Sequence, residues 1–416
     1  MSMVVLAFLL LASAFVPFTH ALTDQSGAIT STFAIGKNPQ GVAYDSGKGE
    51  IFVADEATSS VAIVSDSSNT IVGNVTVQAN PTSLAYDSGK GEVFVGSATS
   101  NTVDVISDTT NSVVANISAG TGLAIGAALA YDPAKNEIFV ANDISSSVAV
   151  ISDTNNSVVA SIAVNGRPSS VAYDPAVGRV FVGDNQQNHI AVISDTTNRV
   201  VANISVFGPS PLAYDSAKGE IFAVNGASGN VSVISATTNA IVATIVVGGE
   251  PSAIAYDSAT GELLVSNLVN LDVSVISDTT NTVLAVLAPS AGILNEYSGI
   301  VYDSGKGIVY VASYNKGTIS IISPSAISAS ATSTSSQTST TTIQSTTSRS
   351  ITSTGINTST TTSSQASSAS LPVSYLFIVL VQIGVILALA RGPIGRTRKK
   401  SPNLVESAPS VVFRRS

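Results

Sequence analysis

The sequence predicts an all-β chain built around a seven-bladed β-propeller closed by an N-terminal strand. A disordered Ser/Thr stalk and one transmembrane helix follow. Three observations carry this. The dipeptide Tyr-Asp recurs at Tyr44, Tyr86, Tyr131, Tyr173, Tyr214, Tyr256 and Tyr302, spaced by 42, 45, 42, 41, 42 and 46 residues. Each interval holds four apolar runs of strand length, such as GVAY, EIFVA, SVAIVS and NTIVGNVTV in the first unit. The two ends of the array are out of step in a way that closes a ring. Four short strands at a period near 42 match one propeller blade.

Taken in order, residues 3–17 form an apolar run shorter than the ~20 residues a span needs. Small residues at Thr19 and Ala21 flank a cleavage position, so residues 1–21 read as a signal peptide. Residues 27–36 (GAITSTFAIG) then form an orphan strand that resembles the fourth-strand pattern TNSVVANISAG at 110–120. The last unit stops after three strands, at GTISIIS. The orphan therefore completes the seventh blade, removes an open edge, and makes residues 27–323 one domain. Within the units, Val, Ile, Phe and Tyr dominate the runs, and Gly, Asn, Asp and Ser the breaks.

Residues 324–370 follow, with 31 Ser or Thr among 47 positions and Arg349 as the sole charge. Too few large apolar groups are present to offset the entropy of ordering, as in O-glycosylated stalks. Residues 371–390 are 20 uncharged residues, enough at 1.5 Å each to span ~30 Å of hydrocarbon. Residues 391–416 carry seven Lys or Arg against Glu406, a net of +6 that marks a cytoplasmic tail and leaves the propeller outside.

Composition narrows the function. The chain has 416 residues, net charge −9, 11% charged residues, no Cys, no Trp and two His, His20 and His189. Thiol chemistry, zinc fingers, iron–sulfur clusters and disulfides are excluded. The acidic body argues against nucleic acid.

The units resemble the YVTN-repeat family of β-propellers. The likeness rests on P-x-x-x-A-Y-D, then I-F-V-A-N/D, then V-x-V-I-S-D-T-T-N-x-V-V-A-x-I. Where the family reads Tyr-Val-Thr-Asn, this chain has Phe139-Val140-Ala141-Asn142 and, in the last unit, Tyr310-Val311-Ala312-Ser313. It departs at Thr in every unit. The resemblance implies the propeller fold. With a signal, a stalk and one span it implies an archaeal surface-layer-type, membrane-anchored protein. Fold alone licenses no activity.

The candidate sites are few. Asp45, Asp87, Asp132, Asp174, Asp215, Asp257 and Asp303 stand where the first strand turns into the second, as Asx-turn residues. Asp66, Asp108, Asp153, Asp195 and Asp278 recur in the second hairpin; Ala236 replaces them in the fifth unit, which reads as turn chemistry. Asp55, Ser97, Asn142, Asp184, Asn225, Asn267 and Ser313 end the second strands. Of these, the charged Asp55 and Asp184 are the calcium candidates. His189 falls in the loop before a third strand and reads as a solvated side chain. The longer linkers at 119–127 and 288–299 offer interface candidates Ile293, Leu294 and Tyr297. Glycosylation sequons stand at Asn74, Asn116, Asn155, Asn203, Asn230 and Asn357.

Each first strand lines the channel with residues such as Gly41-Val42-Ala43 and Ala253-Ile254-Ala255, none of them charged. General acid–base work needs a positioned titratable group. The expectation is therefore a protein that is not an enzyme and needs no cofactor or resident metal. It is held in the cell membrane by a single pass, N-terminal domain outside and C-terminus inside. Its role would be adhesion, partner binding or surface-coat structure, with a surface protein or glycan partner, or self-association. The alternatives are a lyase, hydrolase or quinoprotein-like propeller enzyme, or a calcium-binding surface module.

Overall fold

A computed structural model describes residues 29–121, 123, 128–287 and 299–323. The chain divides into two compact units, Met1–Thr340 and Thr341–Ser416, and the second falls outside the described residues. So do the expected signal peptide, the stalk, the span, the tail, Ile293, Leu294, Tyr297 and Asn357.

The described residues form seven four-stranded antiparallel sheets. Blade 1 runs outward from the axis as Pro39–Asp45, Glu50–Asp55, Ser60–Ser65 and Thr70–Thr76. Blades 2 to 6 repeat this order, with inner strands Pro81–Asp87, Leu129–Asp132, Pro168–Asp174, Pro209–Asp215 and Pro251–Asp257. Blade 7 is built from both ends of the array. Its inner three strands are Ile300–Asp303, Ile308–Ser313 and Thr318–Ile322, and its outer strand is Ile29–Ala34. Phe33 pairs with Ile319 and Ala34 with Thr318, so the ring is closed as the orphan strand predicts.

The second and third strands are buried on both faces because each sheet is sandwiched between its neighbours, so they read as nearly unbroken apolar runs. Phe52, Phe94, Phe139, Phe181 and Phe222 occupy one register position and are fully buried; Leu264 and Tyr310 take that position in blades 6 and 7. Burying each ring stabilises by roughly 2 kcal/mol. The core crosses the closing seam too, where Tyr310 and Ile319 of blade 7 pack with Ile51 and Val53 of blade 1.

Turn chemistry fixes the hairpins. Asn69, Asn111, Asn156, Asn198, Asn239 and Asn281 end the third-to-outer turns in the left-handed region, φ between 50° and 57°. Asn tolerates that conformation better than other side chains. That is why each of these turns closes on Asn.

Every outer strand of blades 1 to 6 is bulged. In blade 1 the register passes from Ile63↔Gly73 to Val64↔Ile71 and leaves Val72 unpaired. The equivalents are Val114, Val159, Val201, Val242 and Leu284. A bulge twists an edge away from pairing with another edge. These strands are almost free of charge, so the bulge rather than lysine guards them.

Candidate functional site

At the axis the inner strands meet closely. A Cβ on Gly299 would stand 1.9 Å from the Gln40 carbonyl oxygen, and one on Gly41 would stand 2.7 Å from that of Thr82. Small residues are required where backbones approach so closely. Gly41 and Gly299 help to line an axial cavity of about 740 Å³ to which all seven blades contribute. Its wall is the apolar set Val42, Leu84, Leu129, Pro211, Ile254 and Ile300. Gln40, Ser169, Asn185, Ser210 and Ser252 add polar groups to the lining, blade 4 giving no apolar side chain, and Asp143, Arg167 and Glu250 add charged ones at the mouth. On the other face a hollow of about 410 Å³ is bordered by Tyr44, Tyr86, Tyr131 and Tyr302, and it shares Val42, Leu84 and Leu129 with the first.

The charged groups at the mouth are additions to the sequence reading, which finds the inner strands neutral. Arg167 and Glu250 each stand immediately before a strand-opening proline, Pro168 and Pro251; that position is the signal in the sequence. The Arg167 guanidinium engages the Asp143 carboxylate through both Nε and Nη2. Glu250 is exposed.

The seven Tyr-Asp aspartates form a buried ring at the other end of the inner strands, each at most 1% exposed. Asp45 Oδ1 accepts the Gly47 and Lys48 N–H groups at 2.8 and 3.1 Å, and the other six carboxylates repeat this turn. Each also faces the tyrosine of the next blade: Asp45 faces Tyr86, Asp87 faces Tyr131, and Asp303 faces Tyr44. Burial, then the facing carboxylate, pushes these tyrosine hydroxyls well above their ordinary pKa. The ring thus joins the blades as well as shaping the turns.

The aspartates of the second hairpin correct the sequence reading. They are not turn residues alone but anchors for the preceding blade. Lys48 reaches Asp108, Lys135 reaches Asp195 at 2.9 Å, Lys218 reaches Asp278, and Lys306 reaches Asp66 at 3.0 Å. Lys90 donates to the Asp153 carbonyl. Where the lysine is lost, its partner is lost with it. Val177 of blade 4 packs in one apolar cluster with Ala236 of blade 5. Blade 6 has Thr260, and in the sequence Pro324 stands at the position where the next unit would carry the aspartate.

The residues ending the second strands pin the linkers between blades. Asp55 accepts from Lys37 N and Asn38 N at 3.0 and 3.2 Å. Asp184 accepts from Arg167 N, Gln186 N and Gln187 N within 3.0 Å. Ser97 donates to the Gln78 carbonyl, Asn142 to that of Ala119 and Asn267 to that of Val247. The two calcium candidates thus spend their oxygens on backbone N–H groups, and lie in blades 1 and 4. No metal-holding group of three His, Asp or Glu occurs among the described residues. His189 also departs from expectation. It opens the third strand of blade 4, its side chain is 13% exposed, and its Nδ1 lies 3.9 Å from Asp184 Oδ2.

Of the sequons, Asn74, Asn116 and Asn203 are exposed on outer strands; Asn155 is exposed in a turn, and Asn230 opens a third strand half-buried.

No family model matches the chain, and no curated protein does. Solved structures do. Hydrazine synthase from Kuenenia stuttgartiensis aligns with a TM-score of 0.60 and 17% identity, over 74% of this chain and 99% of that one. At that identity the likeness is one of fold, a seven-bladed propeller.

Proposed function

We propose that this is a non-enzymatic cell-surface protein that presents its propeller for adhesion, partner binding or surface-coat structure. In this reading residues 324–370 hold the ring away from the membrane, residues 371–390 span it, and residues 391–416 lie inside. The observation that carries it is the channel. The apolar wall offers no titratable group to a reacting atom, and the cation at the mouth, Arg167, is engaged by Asp143. General acid–base catalysis needs a titratable group placed on the reacting atom, and the carboxylates of the cavity, Asp143 and Glu250, stand at its mouth and not on its wall. The resemblance of the repeats to the YVTN type, and of the whole arrangement to archaeal surface-layer-type anchored proteins, supports display. Exposure of Asn74, Asn116 and Asn203 supports glycosylation of the rim.

Cross-linking on intact cells, followed by mass spectrometry of whatever is joined to residues 29–323, tests this. Abundant self-links support coat structure, and links to a foreign protein or glycan support adhesion. Absence of any reproducible partner at the cell surface would refute the proposal.

A further inference from the structure

The outer strands face solvent, and they are not alike. Each of blades 1 to 6 carries an apolar pair at its bulge, such as Ile71 and Val72 in blade 1 or Val113 and Val114 in blade 2. In blades 1, 2 and 4 an exposed sequon stands two residues beyond the pair, at Asn74, Asn116 and Asn203. Blade 3 carries one at Asn155, in the turn before its outer strand. Blades 5 and 6 break the pattern. The register position of Asn74 holds Thr244 in blade 5 and Val286 in blade 6. The sequon of blade 5, Asn230, opens the third strand and is half-buried. Exposed sequons therefore occupy one arc of the ring, blades 1 to 4. Among the described residues, blades 5 to 7 have none.

The arc without sequons also holds the most exposed apolar side chain of the outer strands. Val246 of blade 5 is 72% exposed, where blades 1 to 4 carry Thr76, Ser118, Ala163 and Ser205 at the same register position. Ile241 and Val242 of blade 5 and Leu284 of blade 6 are about half exposed, and the two outer strands touch. These four side chains present a few hundred Å² of apolar surface, the size at which an exposed patch marks a contact.

Charge selects the occupant. Residues 221–249, which hold the last three strands of blade 5, contain no charged residue, and neither does Thr282–Leu287. A partner of opposite charge finds nothing to attract it. Two copies of this chain, each of net charge −9, meet here without setting like charges against each other. The last described strand, Thr318–Ile322, ends on the Tyr-Asp face, beside the turn between Asp303 and Ile308, so the continuation of the chain does not start from this rim. That continuation has the same length in every copy. In the display reading, on which this inference rests, neighbouring copies thus bring their rims to one level. The patch doubled across two copies buries less than the ~1,200 Å² of a standard interface, so the contact is weak in solution and is reinforced by tethering on one surface. The bulges at Val242 and Leu284 keep the edges from pairing as strands, which leaves side chain against side chain.

We propose that the outer strands of blades 5 and 6 are the contact between neighbouring copies of this chain, each copy using the same patch.

The chain has no Cys, so one introduced thiol reports alone. Cells making the full chain with Val246→Cys, or separately with Leu284→Cys, are treated with a membrane-permeant bis-maleimide, which reads contact wherever the chain resides. Both reporters should give chain–chain dimers, several-fold more than Val114→Cys in blade 2 or Val201→Cys in blade 4. Adding Val242→Asp to either reporter sets two like charges in the contact and should lower the dimer yield at least about tenfold. Every variant is checked for cooperative melting. A membrane-impermeant maleimide on the Val114→Cys cells reads display separately; absence of that label refutes display, and the cross-link still decides the contact. Equal dimer yields from blades 2 and 5 would overturn the proposal. So would adducts to other proteins without dimers, or a dimer indifferent to Val242→Asp.

Discussion

Replacing Asp132 by Ala tests whether the Tyr-Asp ring holds the fold. Asp132 is fully buried, and its Oδ1 accepts Ala134 N–H at 2.8 Å and Lys135 N–H at 3.3 Å. A hydrogen bond to a charged group contributes roughly 1.5–3 kcal/mol. The shorter bond is assigned about 2 kcal/mol and the longer about 1 kcal/mol, for a loss near 3 kcal/mol. The facing Tyr173 hydroxyl is not orphaned, because it also donates to Asp195 Oδ2 at 3.1 Å. Asp132→Asn keeps an acceptor at the same place and should cost about 1 kcal/mol. The assay is urea unfolding followed by far-ultraviolet circular dichroism. With an m-value of roughly 3 kcal/mol per molar, the Ala variant should lower the midpoint by about 1 M and the Asn variant by a third of that. An Ala variant within about 0.3 M of the parent, or an Asn variant as damaged as the Ala one, would refute the reasoning.

Three further outcomes are expected. Val177→Lys with Ala236→Asp installs the clamp missing between blades 4 and 5; the pair should exceed the sum of the two single changes by up to about 1 kcal/mol in a double-mutant cycle of melting data. Glu50, Glu92, Glu137 and Glu220 have pKa values raised by burial, against the pull of Lys48, Lys90, Lys135 and Lys218. Their contribution to stability is therefore full below the unfolded value near 4.5 and lost as pH rises through the folded value. The fourfold Gln variant should melt higher than its parent at pH 7, with the difference closing towards pH 4.5. Finally, Asn156 sits at φ 52°, so Asn156→Ala should cost about 1 kcal/mol while Asn156→Gly stays within a few tenths, read by thermal unfolding.

The blades were legible because one unit recurs with its Tyr-Asp and its third-strand pattern nearly intact. Closure was legible because the strand missing at Ile322 is the strand in surplus at Ile29. The inter-blade contacts were harder to read. Tyr86 and Asp45 stand 41 positions apart and belong to different units, and no local pattern joins them. The lysine clamp is written in the sequence all the same. Units 4 and 6 lack the lysine, and units 5 and 7 lack the aspartate, but one turn viewed alone, as at Ala236, shows none of this. That Asp55 and Asp184 hold linker backbone N–H groups is visible only once those groups are placed in space. The axial cavity depends on how far the inner strands stand from the axis. Packing of the second and third strands sets that distance, and residue types alone do not.

The pairing of Ile29–Ala34 with Thr318–Ile322 also sets an order in time. The first strand to be synthesised is needed for the last step of folding, since Ile29 meets Ile322 across 293 positions of chain. Joining ends so distant costs roughly 3–4 kcal/mol more chain entropy than closing a five-residue hairpin turn. Until residue 322 has emerged, Ile29–Ala34 lacks its full partner strand and the ring cannot shut. A ribosome or export channel that releases this chain from its N-terminus therefore delivers blades one at a time, but a finished propeller all at once.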